Sequence, residues 1–333
     1  MVLATAHDED ARKTEVRLVS LPEGHSRPLG AIPHPPRAVV RGDLRGASVF
    51  VVADQEGAQD RDWGSALYRV DPGGPRKLVE GVGHARRPLC SVDGSVYVER
   101  GAGGKEPSPA EIRAGRMRVD ALEIVAVDPS TGATRVVYTH AGHALHLAGE
   151  LGGELIVYRV SPGGADLLAL ERASGRSRLV ASIFPSARDF TVDPGRGALL
   201  YINRDPGDPD LWAVERTDLK TGGIARLREA RGDAPAPYAL PGGKVAWTAD
   251  GRSGLSFQSG ESIAPLGRGF DAVRASTPGG EWIAMLHVPA TGFDQLAAID
   301  LSRGPRGDGL TLRLGEGERV EAVGFMGGDG GAR

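Results

Sequence analysis

Three histidines stand at equivalent places in the sequence. His34, His84 and His143 each come shortly before an apolar segment that is typical of a strand. Neutral imidazole is a good ligand for a borderline metal, and three imidazoles with an open fourth position suit a catalytic or transport site. If the three segments lie side by side, these residues could hold a divalent metal. The alternatives are the rim of a site for a polar ligand or partner, and solvated loop residues.

Carboxylates occupy the corresponding places elsewhere in the chain. Asp189, Asp233 and Asp271 stand before or at the start of similar segments, and Arg87 follows His84. Trp63 ends a long acidic loop, and a tryptophan rimmed by charge is typical of a protein contact. Alternatively, its indole folds back onto its own structural repeat. The candidate binding residues are therefore His34, His84, His143, Arg87, Asp189, Asp233, Asp271 and Trp63.

Other polar motifs predict structure rather than chemistry. The run His140-x-x-His143-x-x-His146 is a poor chelate, because residues three apart in an extended chain point to opposite faces. The acidic segment Asp205–Asp210 lacks the alternating ligands and terminal Glu of a calcium loop, and it predicts a turn capped by Asp side chains. Cys90 lies in a strand pattern, which predicts a small buried residue.

Composition excludes several classes of protein. The 333 residues carry a net charge of −3, and no apolar run approaches the ~18 residues of a membrane span. A single Cys excludes an internal disulfide framework, and dispersed Arg gives no basic stripe for nucleic acid. Catalytic elbows, phosphate loops and dinucleotide fingerprints are absent from the sequence. No cofactor is expected unless the histidines hold a divalent metal.

A repeat runs along the whole chain. Seven apolar segments start 51, 57, 43, 44, 44 and 41 residues apart, close to the ~40–50 residues of a four-stranded propeller blade. The segments are residues 15–20, 66–71, 123–128, 166–171, 210–215, 254–259 and 295–300. Each leads through a turn into a second strand, as in Asp128–Val137, and another strand pair precedes it, as in Asp189–Ile202. Four short antiparallel strands per repeat predict an all-β propeller.

The two ends of the chain complement each other. Arg319–Met326 matches the first strand of a repeat but has no second strand after it, whereas Val2–His7 matches a second strand. The prediction is a seven-bladed β-propeller over residues 1–333, a single domain closed by pairing of the N- and C-terminal strands in one blade. Closure leaves no open repeat edge, so we expect a monomer.

Two segments depart from the repeat. The insertion at residues 101–120 contains a capping box at Ser108–Glu111, which predicts a short helix on a loop; the alternative is a disordered Gly/Pro insertion. The Gly-rich residues 327–333 are expected to form a flexible tail. Ala4–Ala6 is interpreted as strand rather than the tail of a signal peptide, because the charged start and the apolar segment of such a peptide are lacking.

Two repeats carry a family resemblance. Tyr201–Val214, with its Asp-Leu-Trp, and the strand pair Val51–Asp54 and Ala66–Gly74 resemble repeats of TolB-type and related WD-like periplasmic propellers. The resemblance implies a propeller fold and an exported, periplasmic protein. It departs from TolB-type propellers in blade number, since those have six blades, and it implies no particular partner.

Propeller topology assigns the faces of the molecule. Connections from second to third strands, and from fourth strands to the next first strand, lie on one face, here called the loop face. His34, His84 and His143 belong to it, whereas His25 lies in a turn on the opposite face. Because loops converge at the channel mouth, the predicted function is non-enzymatic recognition of a protein or small polar ligand there. The alternative is an enzyme at the channel mouth, a metal-assisted lyase or hydrolase.

Overall fold

A computed structural model describes 17 stretches of the chain. They are residues 1–6, 14–32, 36–40, 48–55, 63–83, 87–91, 93–105, 119–232, 234–240, 243–248, 255–260, 262–263, 269–276, 282–289, 295–301, 309–313 and 318–324. In these ranges the regular structure consists of β-strands, with no α-helix, which confirms the all-β class. No helix that could cross a bilayer occurs in the described stretches.

The strands fall into groups of four along the chain. Group 1 joins the two ends and consists of β1 (Val2–Ala6), β2 (Thr14–Val19), β3 (Ser26–Ile32) and β28 (Arg319–Gly324), in the order β28–β1–β2–β3. Group 2 consists of β4 (Pro36–Val40), β5 (Val49–Asp54), β6 (Ser65–Asp71) and β7 (Gly74–Val82). Group 3 consists of β8 (Leu89–Cys90), β9 (Val96–Lys105), β10 (Val119–Val127) and β11 (Thr134–Gly142). Groups 2 and 3 are joined by one strand-pairing position, Val82 opposite Arg100, and so count as one eight-stranded sheet.

The remaining groups are separate four-stranded sheets. Group 4 consists of β12 (Ala144–Leu151), β13 (Glu154–Ser161), β14 (Gly164–Glu171) and β15 (Ser177–Ile183). Group 5 consists of β16 (Arg188–Asp193), β17 (Ala198–Asp205), β18 (Asp208–Asp218) and β19 (Ile224–Arg231). Group 6 consists of β20 (Pro237–Leu240), β21 (Lys244–Thr248), β22 (Leu255–Phe257) and β23 (Ser262–Ile263). Group 7 consists of β24 (Gly269–Ser276), β25 (Trp282–Pro289), β26 (Gln295–Asp300) and β27 (Gly309–Arg313).

The predicted repeat segments lie in equivalent strands. All seven fall in the third strand of a group, namely β2, β6, β10, β14, β18, β22 and β26. The ends of the chain share group 1, where β1 pairs antiparallel with β28 and Val2 lies opposite Gly324. The predicted short helix at Ser108–Glu111 and the tail 327–333 lie outside the described residues. The described ends of the 101–120 insertion are strand, in β9 and β10.

The core lies between successive groups. Val16 and Leu29 of group 1 pack with Val51 of group 2, and each later group packs on the next in the same way. Leu296 of group 7 packs in turn with Val19 of group 1. Each sheet therefore buries both faces, which explains its continuous apolar third strands.

A β-bulge recurs in the fourth strand of the first five groups. In each, the register with the third strand shifts by one residue, and the extra residue is apolar and at least partly buried. The extra residues are Leu29, Leu78, Val137, Val180 and Leu227. A bulge bends the strand and increases its twist, so these positions shape the outer edge of each group.

Glycines in the hairpin turns lie against these bulges. Gly175 of group 4 has a φ of 68°, and a Cβ placed on it would lie 2.1 Å from the carbonyl oxygen of Val137 in group 3. Gly222 of group 5 repeats the contact with Val180 of group 4, at 2.2 Å and a φ of 75°. Only glycine combines this left-handed backbone with so close an approach.

Arginines in the fourth strands complete the contact between groups. The guanidinium of Arg135 donates to the carbonyl oxygen of Arg172 at 3.1 Å, and that of Arg178 donates to the carbonyl oxygen of Leu219 at 2.9 Å. Each arginine stands two residues before the bulged residue, and its acceptor lies in the hairpin of the next group. Backbone carbonyls of the turns are thus satisfied by a neighbouring group.

Candidate functional site

The loop face contains part of the predicted site. Asp189 is the second residue of β16 and is exposed, as is Arg87 before β8. Partly buried His143 lies between β11 and β12, where its backbone N–H donates to the carbonyl oxygen of Val160 at 2.8 Å. Asp271 lies in β24, opposite His287. The predicted residues His34, His84 and Asp233 lie outside the described residues.

The histidine run serves several separate contacts. His140 places Nε2 3.1 Å from the carbonyl oxygen of Val160. His146 stacks on Tyr158, with ring centroids 5.7 Å apart, and its Nδ1 lies 3.5 Å from a carboxylate oxygen of Glu99. In the described part of the chain, no three His, Cys, Asp or Glu side chains are close enough to hold a metal ion.

Trp63 packs into the protein. Its ring covers Gly101 of β9, where a Cβ would lie 2.3 Å from the indole Cγ. It also contacts the apolar cluster around Tyr97 and Leu122. The indole therefore folds back, although onto neighbouring group 3 rather than onto its own group 2. Cys90 was predicted to be buried and is only partly buried, in the two-residue strand β8.

Asp189 has an unusual backbone. Its φ is 56°, and it is the one non-glycine residue with a positive φ in the described stretches. The register between β16 and β17 shifts here, so that Asp189 and Phe190 both face Tyr201. Phe190 contacts the rings of Tyr158 and Tyr201 at centroid distances of 5.1 and 5.9 Å. The bulge keeps Phe190 in the core while Asp189 stays exposed at the loop face.

Burial raises the pKa of Tyr158 and Tyr201, the two tyrosines that contact Phe190. Desolvation raises the pKa of Tyr158 to about 12. It also raises the pKa of Tyr201, whose hydroxyl lies 2.9 Å from that of Thr217. Both tyrosines remain neutral over the physiological range, so they support the loop face by packing rather than by charge.

Two arginines lie against one tryptophan beside Asp189. The guanidinium carbons of Arg188 and Arg204 lie 4.5 and 4.6 Å from the ring centroid of Trp212. Arg204 is directly opposite Trp212 in the register of β17 and β18. Trp212 was expected to be core, and it is 6% exposed. The sequence analysis assigned no role to the two arginines. The signal that could have identified Arg204 is the pairing of its strand with the next, which places Arg204 opposite Trp212.

Hydrogen bonds hold the end of β17 in place. The backbone N–H of Arg204 donates to Ser186 Oγ at 2.9 Å and to Asn203 Oδ1 at 3.1 Å. Ser186 in turn donates to Asn203 Oδ1 at 2.8 Å, and Asn203 is 2% exposed. This network holds the loop before β16 against β17. It therefore fixes the distance between the backbones of Arg188 and Arg204.

The acidic segment after β17 is a capped turn, as predicted. Asp205 accepts the N–H of Gly207 at 2.8 Å, and Asp208 accepts that of Asp210 at 3.1 Å. The Gly207 N–H and the Arg226 guanidinium lower the pKa of Asp205. These carboxylates therefore stabilise the turn at the edge of the loop face.

The chain is similar in fold to several solved structures. The chain is similar to the periplasmic gluconolactonase PpgL of Pseudomonas aeruginosa, at 16% identity, a TM-score of 0.56, and coverage of 96% of this chain and 95% of that chain. It is similar to oligogalacturonate lyase from Vibrio parahaemolyticus, at 10% identity, a TM-score of 0.59, and coverage of 90% and 91%. TolB from Acinetobacter baumannii matches at 11% identity and a TM-score of 0.50, over 97% of this chain and 66% of that chain. The chain resembles TolB-type β-propellers in fold.

The TolB-like resemblance predicted from two repeats is thus confirmed. No protein-family model and no curated protein matches the sequence. The similar propellers include TolB as well as a lyase and a lactonase. At these identities the likeness concerns the fold alone, and the choice between binding and catalysis depends on this chain's own residues.

Proposed function

We propose that the protein is a recognition propeller that binds a protein or a small polar ligand at its loop face, without a cofactor. The observation that carries this proposal is the strained backbone at Asp189, next to exposed Arg188. A left-handed non-glycine residue costs about 1–3 kcal/mol and persists where the surrounding structure imposes it, which is frequently at binding sites. Bulges at such places re-aim side chains.

We also propose that the seven strand groups close into a seven-bladed ring. Support comes from the packing of group 7 on group 1 and from the shared sheet of β1 and β28. First strands β12 and β16, β16 and β20, and β28 and β4 are in contact, as inner strands around a channel would be. In such a ring, Asp189 and the connection that contains His143 lie near one channel mouth.

Each face carries an exposed ion pair between neighbouring arginine and acidic side chains. On the loop face, Arg188 and Asp189 form an ion pair at 3.6 Å. On the opposite face, Arg176 and Glu171 form an exposed pair at 2.8 Å, in the turn between β14 and β15. Replacing both members of either pair by neutral residues leaves the net charge of the protein unchanged, so the second pair is a matched control for the first.

The experiment uses arrays of peptides and small polar ligands. Wild type, Arg188→Ala/Asp189→Asn and Arg176→Ala/Glu171→Gln are compared. We expect ligands that bind wild type and the control, and that lose binding to the loop-face variant. If every ligand retained by wild type binds both variants equally, or if none binds, the loop face is not a recognition surface.

The enzyme alternative has a separate test. In a metal-assisted lyase or hydrolase at the channel mouth, His34, His84 and His143 would share one ion. Elemental analysis of the purified protein would find a divalent metal in near-equal molar amount, and replacing the three histidines by Ala would remove it. Stoichiometric metal in wild type and its loss in the variant would favour the enzyme over the cofactor-free recognition domain.

A further inference from the structure

The two arginines on Trp212 form an unusual charge arrangement. Since each guanidinium carbon lies within 4.6 Å of one ring centroid, the two cations are within roughly 9 Å of each other. The Asp189 carboxylate lies 3.6 Å from the Nε of Arg188. Within the described residues, Arg204 has no ion pair. Two like charges at this distance repel, and one exposed carboxylate offsets that repulsion only in part.

Carboxylates neutralise two other exposed arginines, Arg178 and Arg226. Arg178 is held by both carboxylate oxygens of Glu154, at 3.2 and 2.7 Å. Arg226 lies near Asp205, Glu215 and Glu229 within 3.7 Å. Carboxylates thus neutralise these two arginines, whereas the pair on Trp212 lies on an aromatic ring, as Arg228 of the same sheet does on Trp247 at 5.2 Å.

Stacking on an indole prepares a guanidinium for recognition. The ring attracts the flat face of the cation and fixes its plane, while the N–H groups at its edge remain available. These donors form a fork that matches both oxygens of a carboxylate. The side chain of Arg188 is 51% exposed, and Arg204 is also exposed, so a ligand can reach both. The hydrogen bonds of Ser186 and Asn203 hold Arg204 in position.

We propose that Arg188 and Arg204, held on Trp212, form a carboxylate-recognition site for an acidic segment of a protein partner. The inference rests on the proposed loop-face recognition and names the chemistry of its ligand. An extended peptide fits better than a small molecule, because the two cations lie on an open surface and small ligands bind in enclosing clefts. The two cations on Trp212 engage two acidic side chains at alternate positions of the extended peptide, because successive side chains point to opposite faces.

The test uses a fluorescein-labelled hexaglutamate peptide, with hexaglutamine as the uncharged control. Fluorescence anisotropy is measured at pH 7 in 50 mM NaCl. We expect hexaglutamate to bind, and Arg188→Ala and Arg204→Ala each to weaken binding about tenfold, the cost of losing a hydrogen bond to a charged group. Arg204→Lys keeps the charge without the fork, and should restore only part of the affinity.

Arg176→Ala is the matched control. This arginine is 81% exposed on the opposite face, so its loss changes net charge equally and should leave binding unchanged. Raising NaCl to 300 mM should weaken hexaglutamate binding to wild type, because exposed ionic contacts are screened. Arg188→Gln and Arg204→Gln, which keep the aliphatic stem, replace the Ala variants if these lower the melting temperature.

Three results would overturn the inference. The first is failure of hexaglutamate to bind wild type. The second is that Arg176→Ala weakens binding as much as Arg188→Ala and Arg204→Ala do. The third is that citrate binds as tightly as hexaglutamate, which would indicate a small-anion site. If hexaglutamate fails while another array ligand is lost in Arg188→Ala/Asp189→Asn, the carboxylate inference is wrong and loop-face recognition stands. If no ligand is sensitive to that variant, both are wrong.

Discussion

Gly175 allows a quantitative test of how the strand groups pack. Replacing it by Ala adds a Cβ 2.1 Å from the carbonyl oxygen of Val137 in the preceding group, on a backbone with a φ of 68°. The left-handed conformation alone costs Ala about 1–2 kcal/mol. Relieving the overlap requires the turn to move away from Val137, and overpacking of this kind costs about 1–3 kcal/mol more.

Gly197 separates the two contributions. Its φ is 63°, nearly that of Gly175, but a Cβ placed on it meets nothing within 4 Å. Gly197→Ala should therefore lose about 1–2 kcal/mol and Gly175→Ala about 2–5 kcal/mol of the free energy of unfolding. Arg135 also donates to the carbonyl of Arg172 in the same turn, and moving the turn would lengthen that bond.

Equilibrium urea unfolding followed by tryptophan fluorescence measures both variants against wild type. Gly222→Ala, with its Cβ 2.2 Å from the Val180 carbonyl, is an internal repeat and should behave like Gly175→Ala. If Gly175→Ala and Gly197→Ala lose the same free energy, the hairpin glycines do not pack against the preceding bulge and this account of the group-to-group contact is wrong.

Three further perturbations test other contacts. Arg172→Met removes the partner of Glu150, 3.0 Å away and 11% exposed, so a thermal melt should show a loss of about 3 kcal/mol; an unchanged melting temperature would contradict this. Hydrogen bonds from Ser130 and Thr131 lower the pKa of Asp128 from 3.8 to about 2, so its ionised form contributes stability that is lost as pH falls from 4 to 2. Urea midpoints of Asp128→Asn should fall less over that range, and an equal fall would refute the linkage. Deleting residues 1–6 removes β1 and exposes the edges of β2 and β28, and should cost several kcal/mol; wild-type melting would reject ring closure.

The sequence by itself determined the repeat and its strands. Short apolar segments at a regular spacing predict third strands, and turn residues such as those after Asp128 predict hairpins, because both signals depend on neighbours in the chain. The pairing of Val2–Ala6 with Arg319–Gly324 also followed from the sequence, since each end lacks the strand that the other supplies. Trp212 was correctly expected to be buried.

Only the tertiary structure decided which side chains meet across groups. Trp63 lies on Gly101 of the next group, and Val137 presents its carbonyl to Gly175 of the group after it. Spacing along the chain carries no information on these contacts, because they depend on how sheets stack and on where bulges shift the register. The bulge at Asp189 is such a shift, and it lies beside the place where Arg188 joins Trp212 and Arg204, residues from three different strands.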